Sequence, residues 1–311
     1  MSPVATTSRS VTVRAPAKVN LELRVGPRKP DGFHDLATVF MAVGLFDEVT
    51  VTRARDWSVT TTGRYAGLVP DTSDNLALRA AKALARRGRV MGDPVAITIA
   101  KDIPVAGGMA GGSADAAAAL VACDHLWGLR TDRDVLASVA ADLGSDVPFA
   151  LHGGIALGSG RGDRLAPVLA RGLFHWVFAL SPTGLSTPAV YAECDRLRAD
   201  AAVPAPESSP AIMAALRSGD CDDLAAALAN DLQEPAFSLR PELRDVLDAG
   251  LEFGALGGIV SGSGPTVAFL TRSAEHALDL SVALTASGTA PAVKRARGPV
   301  HGAAVVTTPR D

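Results

Sequence analysis

Apolar and polar residues alternate with a period of two in several short stretches of this chain. The alternation is clearest at residues 19–25, where Val19, Leu21, Leu23 and Val25 recur, and at residues 95–103. A period of two is typical of β-strands, so both stretches are predicted to be strands. Shorter β-rich stretches predict further strands at residues 11–14, 47–53, 57–62, 153–162, 174–180, 267–270 and 303–306.

Runs rich in alanine and leucine predict helices between these strands. The strongest covers residues 113–127 and is followed by Gly128, a residue that commonly ends a helix. Other helices are predicted at residues 75–87, 132–143, 188–197, 211–217, 222–230, 241–251 and 274–287. Helices and strands are interleaved without a strict βαβ repeat, which favours an α+β fold. A boundary near residues 164–173 predicts two domains, 1–165 and 166–311.

The composition of the 311 residues, with 48% hydrophobic residues and a net charge of −3, is ordinary for a globular protein. No basic excess indicates a nucleic-acid partner. No apolar run reaches the roughly 18 residues that span a bilayer, and the polar first ten residues do not resemble a secretory signal. The three cysteines lie far apart, which disfavours disulfides and a zinc site. We therefore expect a cytoplasmic protein that does not bind membranes.

A glycine-rich segment lies between the strand at 95–103 and the strong helix. It consists of Pro104, Val105, Ala106, Gly107, Gly108, Met109, Ala110, Gly111, Gly112, Ser113 and Ala114. Glycines let the backbone approach a ligand closely, and a helix start offers unpaired N–H groups and partial positive charge. The segment matches neither the P-loop pattern nor GxGxxG. A plain turn entering a helix is the alternative, but four glycines in six positions favour a phosphate-binding loop.

This segment resembles the second motif of the superfamily of galactokinase, homoserine kinase, mevalonate kinase and phosphomevalonate kinase (GHMP kinases). Met109 and Ala110 stand where leucine and glycine are more frequent. Residues 15–21, APAKVNL, resemble the first motif of the superfamily, and residues 261–267, SGSGPTV, resemble the third. Three motifs in the right order are more specific than any one of them.

Four segments are most similar to the family of 4-diphosphocytidyl-2-C-methyl-D-erythritol kinases. They are PAKVNL at 16–21, DGFH at 31–34, LGSDVPF at 143–149 and STPAVY at 186–191. The resemblance implies an N-terminal domain like domain 2 of ribosomal protein S5, a ferredoxin-like C-terminal domain, and an active site between them. It also implies transfer of the ATP γ-phosphoryl group to the 2-hydroxyl of a cytidine diphosphate-linked methylerythritol, a small-molecule substrate.

The resemblance implies that Asp146 and Lys18 are the catalytic residues. By default, an aspartate in a loop forms a cap or turn, and a lysine in a strand extends its charge to solvent. In the matched motifs we expect Asp146, on a loop stiffened by Pro148, to orient the acceptor hydroxyl and take its proton late. We expect Lys18 to hold Asp146 and offset charge on the transferring phosphoryl group.

The resemblance also implies a cytosine site formed by Phe33, His34 and Tyr191, with the ring between the two aromatic side chains and its edge read by the histidine. Phe33 replaces the tyrosine usual in the family, which preserves stacking but removes a hydroxyl. Taken singly, each of the three residues is more typical of packing or of a turn. Asn20 is expected to contact the substrate or orient Asp146. The identity of the phosphoryl acceptor is therefore inferred chiefly from the resemblance.

Other interpretations remain open at this point. The loop at 261–264 either closes over substrate phosphates or only makes a turn. The cofactors expected are ATP as phosphoryl donor and Mg²⁺ bound to it, with no metal cage in the protein. Alternative functions are a homoserine-type or mevalonate-type kinase, or a nucleotide-binding module without activity. The sequence leaves the oligomeric state open.

Overall fold

The computed structural model describes residues 10–69, 72–199 and 201–306. Within these ranges an eight-stranded sheet has β1, β2, β4 and β3 as consecutive neighbours, with β12 on the other side of β1. β5 pairs with β2 and β6, and β8 runs parallel to β1. The strands are β1 (Ser10–Arg28), β2 (His34–Arg53), β3 (Ser58–Gly63), β4 (Val95–Lys101), β5 (Ile155–Ser159), β6 (Arg164–Pro167), β8 (Ala229–Asn230) and β12 (Ala304–Val305).

A second sheet of four antiparallel strands is formed by the later part of the described chain, in the order β11-β7-β10-β9. Its strands are β7 (Phe174–Leu180), β9 (Gly257–Val260), β10 (Val267–Thr271) and β11 (Ala292–Gly298). In chain order these are the first to fourth strands, arranged fourth-first-third-second, with helices after the first and third. This is the ferredoxin-like arrangement that the sequence predicted.

Helices cover the sheets and connect their strands. They are α1 (Leu76–Gly88), α2 (Gly111–Trp127), α3 (Arg133–Leu143), α4 (Val147–His152), α5 (Thr187–Arg198), α6 (Pro210–Ser218), α7 (Cys221–Ala227), α8 (Gln233–Leu239), α9 (Glu242–Glu252) and α10 (Ala274–Ala286). Helix α2 is apolar on nearly all sides because it packs against α1, β1 and β2 at once. The combination of helices with two mainly antiparallel sheets confirms the predicted α+β class.

Several elements differ from the sequence-based predictions. The stretches 11–14 and 19–25 are one continuous strand, and β2 begins at His34 rather than at residue 47. Residues 37–43 are buried on both faces of the sheet, so alternation disappears there. The predicted helix 222–230 ends at Ala227, and its last residues form β8. β9, α4, α8 and β11 were not predicted.

Both β8 and β12 come from the second half of the chain and pair with β1. The predicted division at residue 165 stays a prediction. No helix among the described residues is long and apolar enough to cross a membrane.

Candidate active site

The glycine-rich loop is held in place by contacts on two sides. Gly108 has a φ of +73°, and an added Cβ would overlap the carbonyl oxygen of Ser261. The Ser261 hydroxyl donates to the Gly108 carbonyl at 3.1 Å. On the other side, the Lys18 backbone N–H donates to the Met109 carbonyl at 3.2 Å. The glycine-rich loop thus contacts both β1 and the loop at residues 261–264, which we call the C-terminal loop.

Helix α2 begins at Gly111, two residues before the predicted start, and its first turn faces the cleft. Ala110 precedes it in the left-handed region, and no side chain caps the first N–H groups. Gly112 is exposed, and a Cβ added there would have no heavy atom within 4 Å. Unpaired N–H groups at a helix start attract anions. The uncapped first turn of α2 could therefore hold a phosphate group.

The predicted cofactor-binding residues do not all line the cleft. Pro104 to Gly108 and Ala110 to Gly112 do so. Met109 and Ala114 are fully buried beneath it, and Ser113 is half-buried. Met109 and Ala114 therefore pack beneath the glycine-rich loop, whereas their neighbours in the loop line the cleft.

Lys18 and Asp146, far apart in sequence, meet at the floor of the cleft. The Lys18 Nζ lies 4.0 Å from the Asp146 Oδ2, and Lys18 donates to the Asn20 Oδ1 at 2.6 Å. Asn20 in turn donates to the Thr38 hydroxyl at 2.8 Å. Lys18 and Asn20 share a face of β1 because alternate residues of a strand point the same way. Asn20 thus holds the ammonium group that faces Asp146.

Asp146 lies in the short turn between α3 and α4, directly before α4, and Pro148 occupies the first turn of that helix. The side chain of Asp146 is 30% exposed, whereas that of Lys18 is 7% exposed. Burial lowers the pKa of Lys18, and the charge of Asp146 partly opposes this effect. A bound anion would further favour the charged ammonium group.

The C-terminal loop, residues 261–264, lies over the Lys18–Asp146 pair. A Cβ added to Gly262 would come within 3.0 Å of the Lys18 Nζ. Asn230 anchors the loop by donating to the Val260 and Gly262 carbonyls at 2.8 and 2.7 Å. Ser263 shares a 2.8 Å hydrogen bond with Thr187 at the start of α5. Of the two interpretations left open by the sequence, the geometry favours a loop that forms part of the site.

Phe33, His34 and Tyr191 all line the cleft. The His34 and Tyr191 rings are 5.2 Å apart between centroids and tilted by 31°. Phe33 is 53% exposed, with the guanidinium of Arg161 at 5.5 Å from its ring centroid. Burial raises the pKa of the Tyr191 phenol, and Asp146 raises it further. The exposed Phe33 face is the available stacking surface of the three.

A buried cluster of charged side chains beneath the glycine-rich loop was not predicted. Lys101 pairs with Asp47 and, at 2.7 Å, with Asp115, and all three side chains are at most 5% exposed. Asp47 also accepts from two backbone N–H groups, those of Asp102 and Ile103. Asp115 lies near the start of α2, and its side chain turns inward to Lys101.

The Asp115 Oδ1 is buried without a hydrogen-bond partner. Burial is the largest effect on this carboxyl, and it raises the pKa of Asp115 from 3.8 to about 7 despite the Lys101 ammonium group. The only sequence signal for the cluster was a lysine at the end of a predicted apolar strand, at residue 101.

The candidate catalytic and substrate-binding residues share one cleft of about 1030 Å³. Lys18, Asn20, Phe33, His34, Asp146 and Tyr191 all line it, together with the exposed turn of α2. The cleft is lined by residues from both the N-terminal and the C-terminal parts of the chain. No group of three or more His, Cys, Asp or Glu side chains in the described ranges is arranged to hold a metal ion.

Two family models match the chain: the GHMP kinases N terminal domain at residues 75–154 and the GHMP kinases C terminal domain at residues 212–290. The chain is 57% identical to 4-diphosphocytidyl-2-C-methyl-D-erythritol kinase of Streptomyces avermitilis over 297 residues, which cover 96% of this chain and 100% of the relative. It is also 57% identical to the protein of that name from Mycolicibacterium smegmatis, over 97% of this chain and 94% of the relative.

Solved structures give the same picture of the fold. A crystal structure of 4-(cytidine 5'-diphospho)-2C-methyl-D-erythritol kinase matches with a TM-score of 0.76 and 32% identity, over 92% of this chain and 98% of the other. Homoserine kinase from Cytophaga hutchinsonii matches with a TM-score of 0.73 at 20% identity, over 98% of this chain and all of the other. The second similarity, at its low identity, concerns the fold alone.

Proposed function

The chain belongs to the GHMP kinases and, within them, to the 4-diphosphocytidyl-2-C-methyl-D-erythritol kinases, and from this premise we propose that it transfers the ATP γ-phosphoryl group to the 2-hydroxyl of that cytidine diphosphate-linked substrate. The observation that carries the site assignment is the Lys18–Asp146 pair, 4.0 Å apart, in the same cleft as the uncapped start of α2. A phosphoryl donor and an alcohol acceptor can thus meet between a phosphate cradle and a carboxylate.

The ATP phosphates bind over residues 107–112. The backbone N–H groups of the first turn of α2 donate to phosphate oxygens, and the helix dipole adds to the attraction. Gly112 leaves room for this approach because it has no side chain. The rigid contact between Gly108 and Ser261 keeps the loop in its binding conformation before ATP arrives, which lowers the entropy cost of binding.

Asp146 orients the acceptor hydroxyl and takes its proton. Phosphoryl transfer proceeds through a loose transition state, so the hydroxyl proton need not leave early and a weakly basic carboxylate suffices. Lys18, held by Asn20, keeps Asp146 in place and offsets charge on the transferring group. Burial lowers the pKa of Lys18, and the arriving phosphates act in the opposite sense by favouring its ammonium form.

The cytidine end of the acceptor binds at Phe33, His34 and Tyr191. The exposed Phe33 ring offers a stacking face, and stacking of a base on an aromatic side chain is worth about 1–3 kcal/mol. His34 also lines the cleft and reads the edge of the base.

Mg²⁺ enters the site bound to ATP. Mg²⁺ in kinase sites usually keeps several waters and is held largely by substrate phosphates. When bound, Mg²⁺ would neutralise phosphate charge. We expect the hydroxyl of Ser113, which is half-buried in the first turn of α2, to contact a phosphate or the ion.

The test compares two conservative substitutions with a control on the same side of the cleft. Asp146→Asn and Lys18→Met each keep the approximate volume and remove the charge. We expect each to lower kcat by about 10²-fold or more, the scale of lost general-base or electrostatic catalysis. Asp142→Asn changes an exposed carboxylate that also lines the cleft, and it should leave kcat close to the wild-type value.

Substrate choice is tested on the wild-type protein with ATP and three acceptors: the cytidine diphosphate-linked methylerythritol, homoserine and mevalonate. Turnover of the first alone is expected. Faster turnover of either of the others would overturn the acceptor assignment. ATP binding without phosphoryl transfer to any acceptor would indicate the non-catalytic module instead.

A further inference from the structure

We infer that Asp195 is a positioning residue that fixes His34 in one tautomer and thereby makes the site select cytosine over uracil. The inference rests on the proposed function, because it assumes that His34 faces the base of the acceptor. Asp195 lies on α5, far from His34 in sequence, and belongs to none of the matched motifs.

The contact itself determines where the imidazole proton lies. The His34 Nε2 is 2.8 Å from the Asp195 Oδ1, and the histidine side chain is only 4% exposed. An ionised carboxylate accepts hydrogen bonds and has no proton to donate, so the Nε2 must carry a hydrogen. In a neutral imidazole the Nδ1 is then an acceptor.

The ring is held on its face as well as its edge. Tyr191 lies one helical turn before Asp195 on α5, and its ring packs 5.2 Å from the imidazole centroid. The second carboxylate oxygen of Asp195 lies 3.9 Å from the Arg28 Nε, an exposed ion pair beyond hydrogen-bond distance that adds little to the orientation of the carboxylate. One turn of α5 therefore supplies both the packing surface and the hydrogen-bond partner that orient His34.

The other ring nitrogen remains open toward the cleft. Across the described ranges the Nδ1 of His34 has no hydrogen-bond partner, and it is not among the buried polar atoms that lack one. It is therefore reachable from the cleft that His34 lines. An acceptor at this point matches the N4 amino donor of cytosine, whereas uracil presents the O4 acceptor at the same position. Two acceptors facing each other would both lose a hydrogen bond, which disfavours uracil.

Asp195→Asn is the informative substitution, because an amide can accept through its oxygen or donate through its nitrogen and so permits either tautomer. We expect the ratio of kcat/KM for the cytidine substrate to that for its uridine analogue to fall about tenfold, the scale of one base-edge hydrogen bond. The change should lie in KM, with kcat little altered, because Asp195 is proposed to touch no reacting atom.

A second readout does not depend on turnover. Nitrogen-15 spectra of the imidazoles should show His34 as a single Nε2–H tautomer in the wild type and as a mixture in Asp195→Asn. Arg28→Gln is the matched control: it removes the 3.9 Å ion pair, keeps the His34–Asp195 bond, and should preserve both the tautomer and the cytidine-to-uridine ratio.

An unchanged ratio and a single Nε2–H tautomer in Asp195→Asn would overturn the inference, as would an equal loss of selectivity in Arg28→Gln. Failure of the wild type to phosphorylate the cytidine substrate would instead overturn the proposed function. In that case the tautomer spectra still decide whether Asp195 fixes His34.

Discussion

Replacing Asp115 by asparagine removes a buried charge beneath the phosphate loop while keeping the shape of the side chain. Asp115 is paired with Lys101 on one oxygen, and its other oxygen is buried without a partner. An ionised carboxylate in this position has lost more hydration than its single ion pair returns. The folded protein therefore holds a proton on Asp115 at a pH where the unfolded chain has released it.

The sign and size of the effect follow from this pKa, which burial raises from 3.8 to about 7. A carboxyl with a raised native pKa contributes most to stability at low pH, and this contribution declines as the pH rises from about 4 to about 7. Each unit of pKa difference corresponds to about 1.4 kcal/mol. Between pH 5 and pH 8 the wild type should therefore lose about 2–3 kcal/mol through this group.

The assay is denaturation by urea at pH 5, 6, 7 and 8, carried out on the wild type, Asp115→Asn and the exposed control Asp142→Asn. The free energy of unfolding of Asp115→Asn should rise relative to that of the wild type by about 2–3 kcal/mol across this range, and level off above pH 7. Asp142→Asn should run parallel to the wild type. A parallel profile for Asp115→Asn would refute the reasoning, because it would mean that Asp115 titrates alike in the folded and unfolded chains.

Replacing either of two glycines in the glycine-rich loop by alanine should have opposite effects on the stability of the protein. Gly112→Ala meets no atom in the protein and favours the helix, so stability measured by urea denaturation should be unchanged or rise by up to about 1 kcal/mol. Its methyl group should nevertheless raise the KM for ATP about tenfold by displacing a phosphate from a backbone N–H, and an unchanged KM would contradict the cradle. Gly108→Ala combines a positive φ with overlap on the Ser261 carbonyl, so it should cost about 2 kcal/mol or more of stability. Wild-type stability in that variant would show that the two loops do not pack together.

Local sequence patterns predicted those helices and strands that form because of their own residues. The helix after the glycine-rich segment was predicted from its composition and ends at Trp127 before Gly128, as expected. β7 was predicted with its observed bounds, because residues 174–180 combine β-branched and aromatic residues in one short run. The motif around residues 104–114 indicated phosphate binding without any knowledge of the fold, since glycines followed by a helix start are sufficient for that inference.

Short elements were missed because their stability comes from their neighbours. α4 and α8 have six and seven residues, too few to form without packing against the rest of the protein. The first half of β2 was missed for another reason: its residues are buried on both faces, so the sequence there shows no alternation. In both cases the deciding contacts come from residues distant in the chain.

The candidate site likewise combines features that the sequence predicted with features that tertiary contacts decide. The sequence alone predicted a phosphate-binding loop, and its motifs indicated the kinase family and the pair Lys18 and Asp146. Only the tertiary structure decided that Asp115 turns inward to Lys101 and that Asp195 meets His34. The physical reason is that a motif records which groups are present along the chain, whereas burial and partners depend on segments that meet only after folding. The charge, tautomer and pKa of a side chain in the site are therefore set by the folded structure and not by the motif.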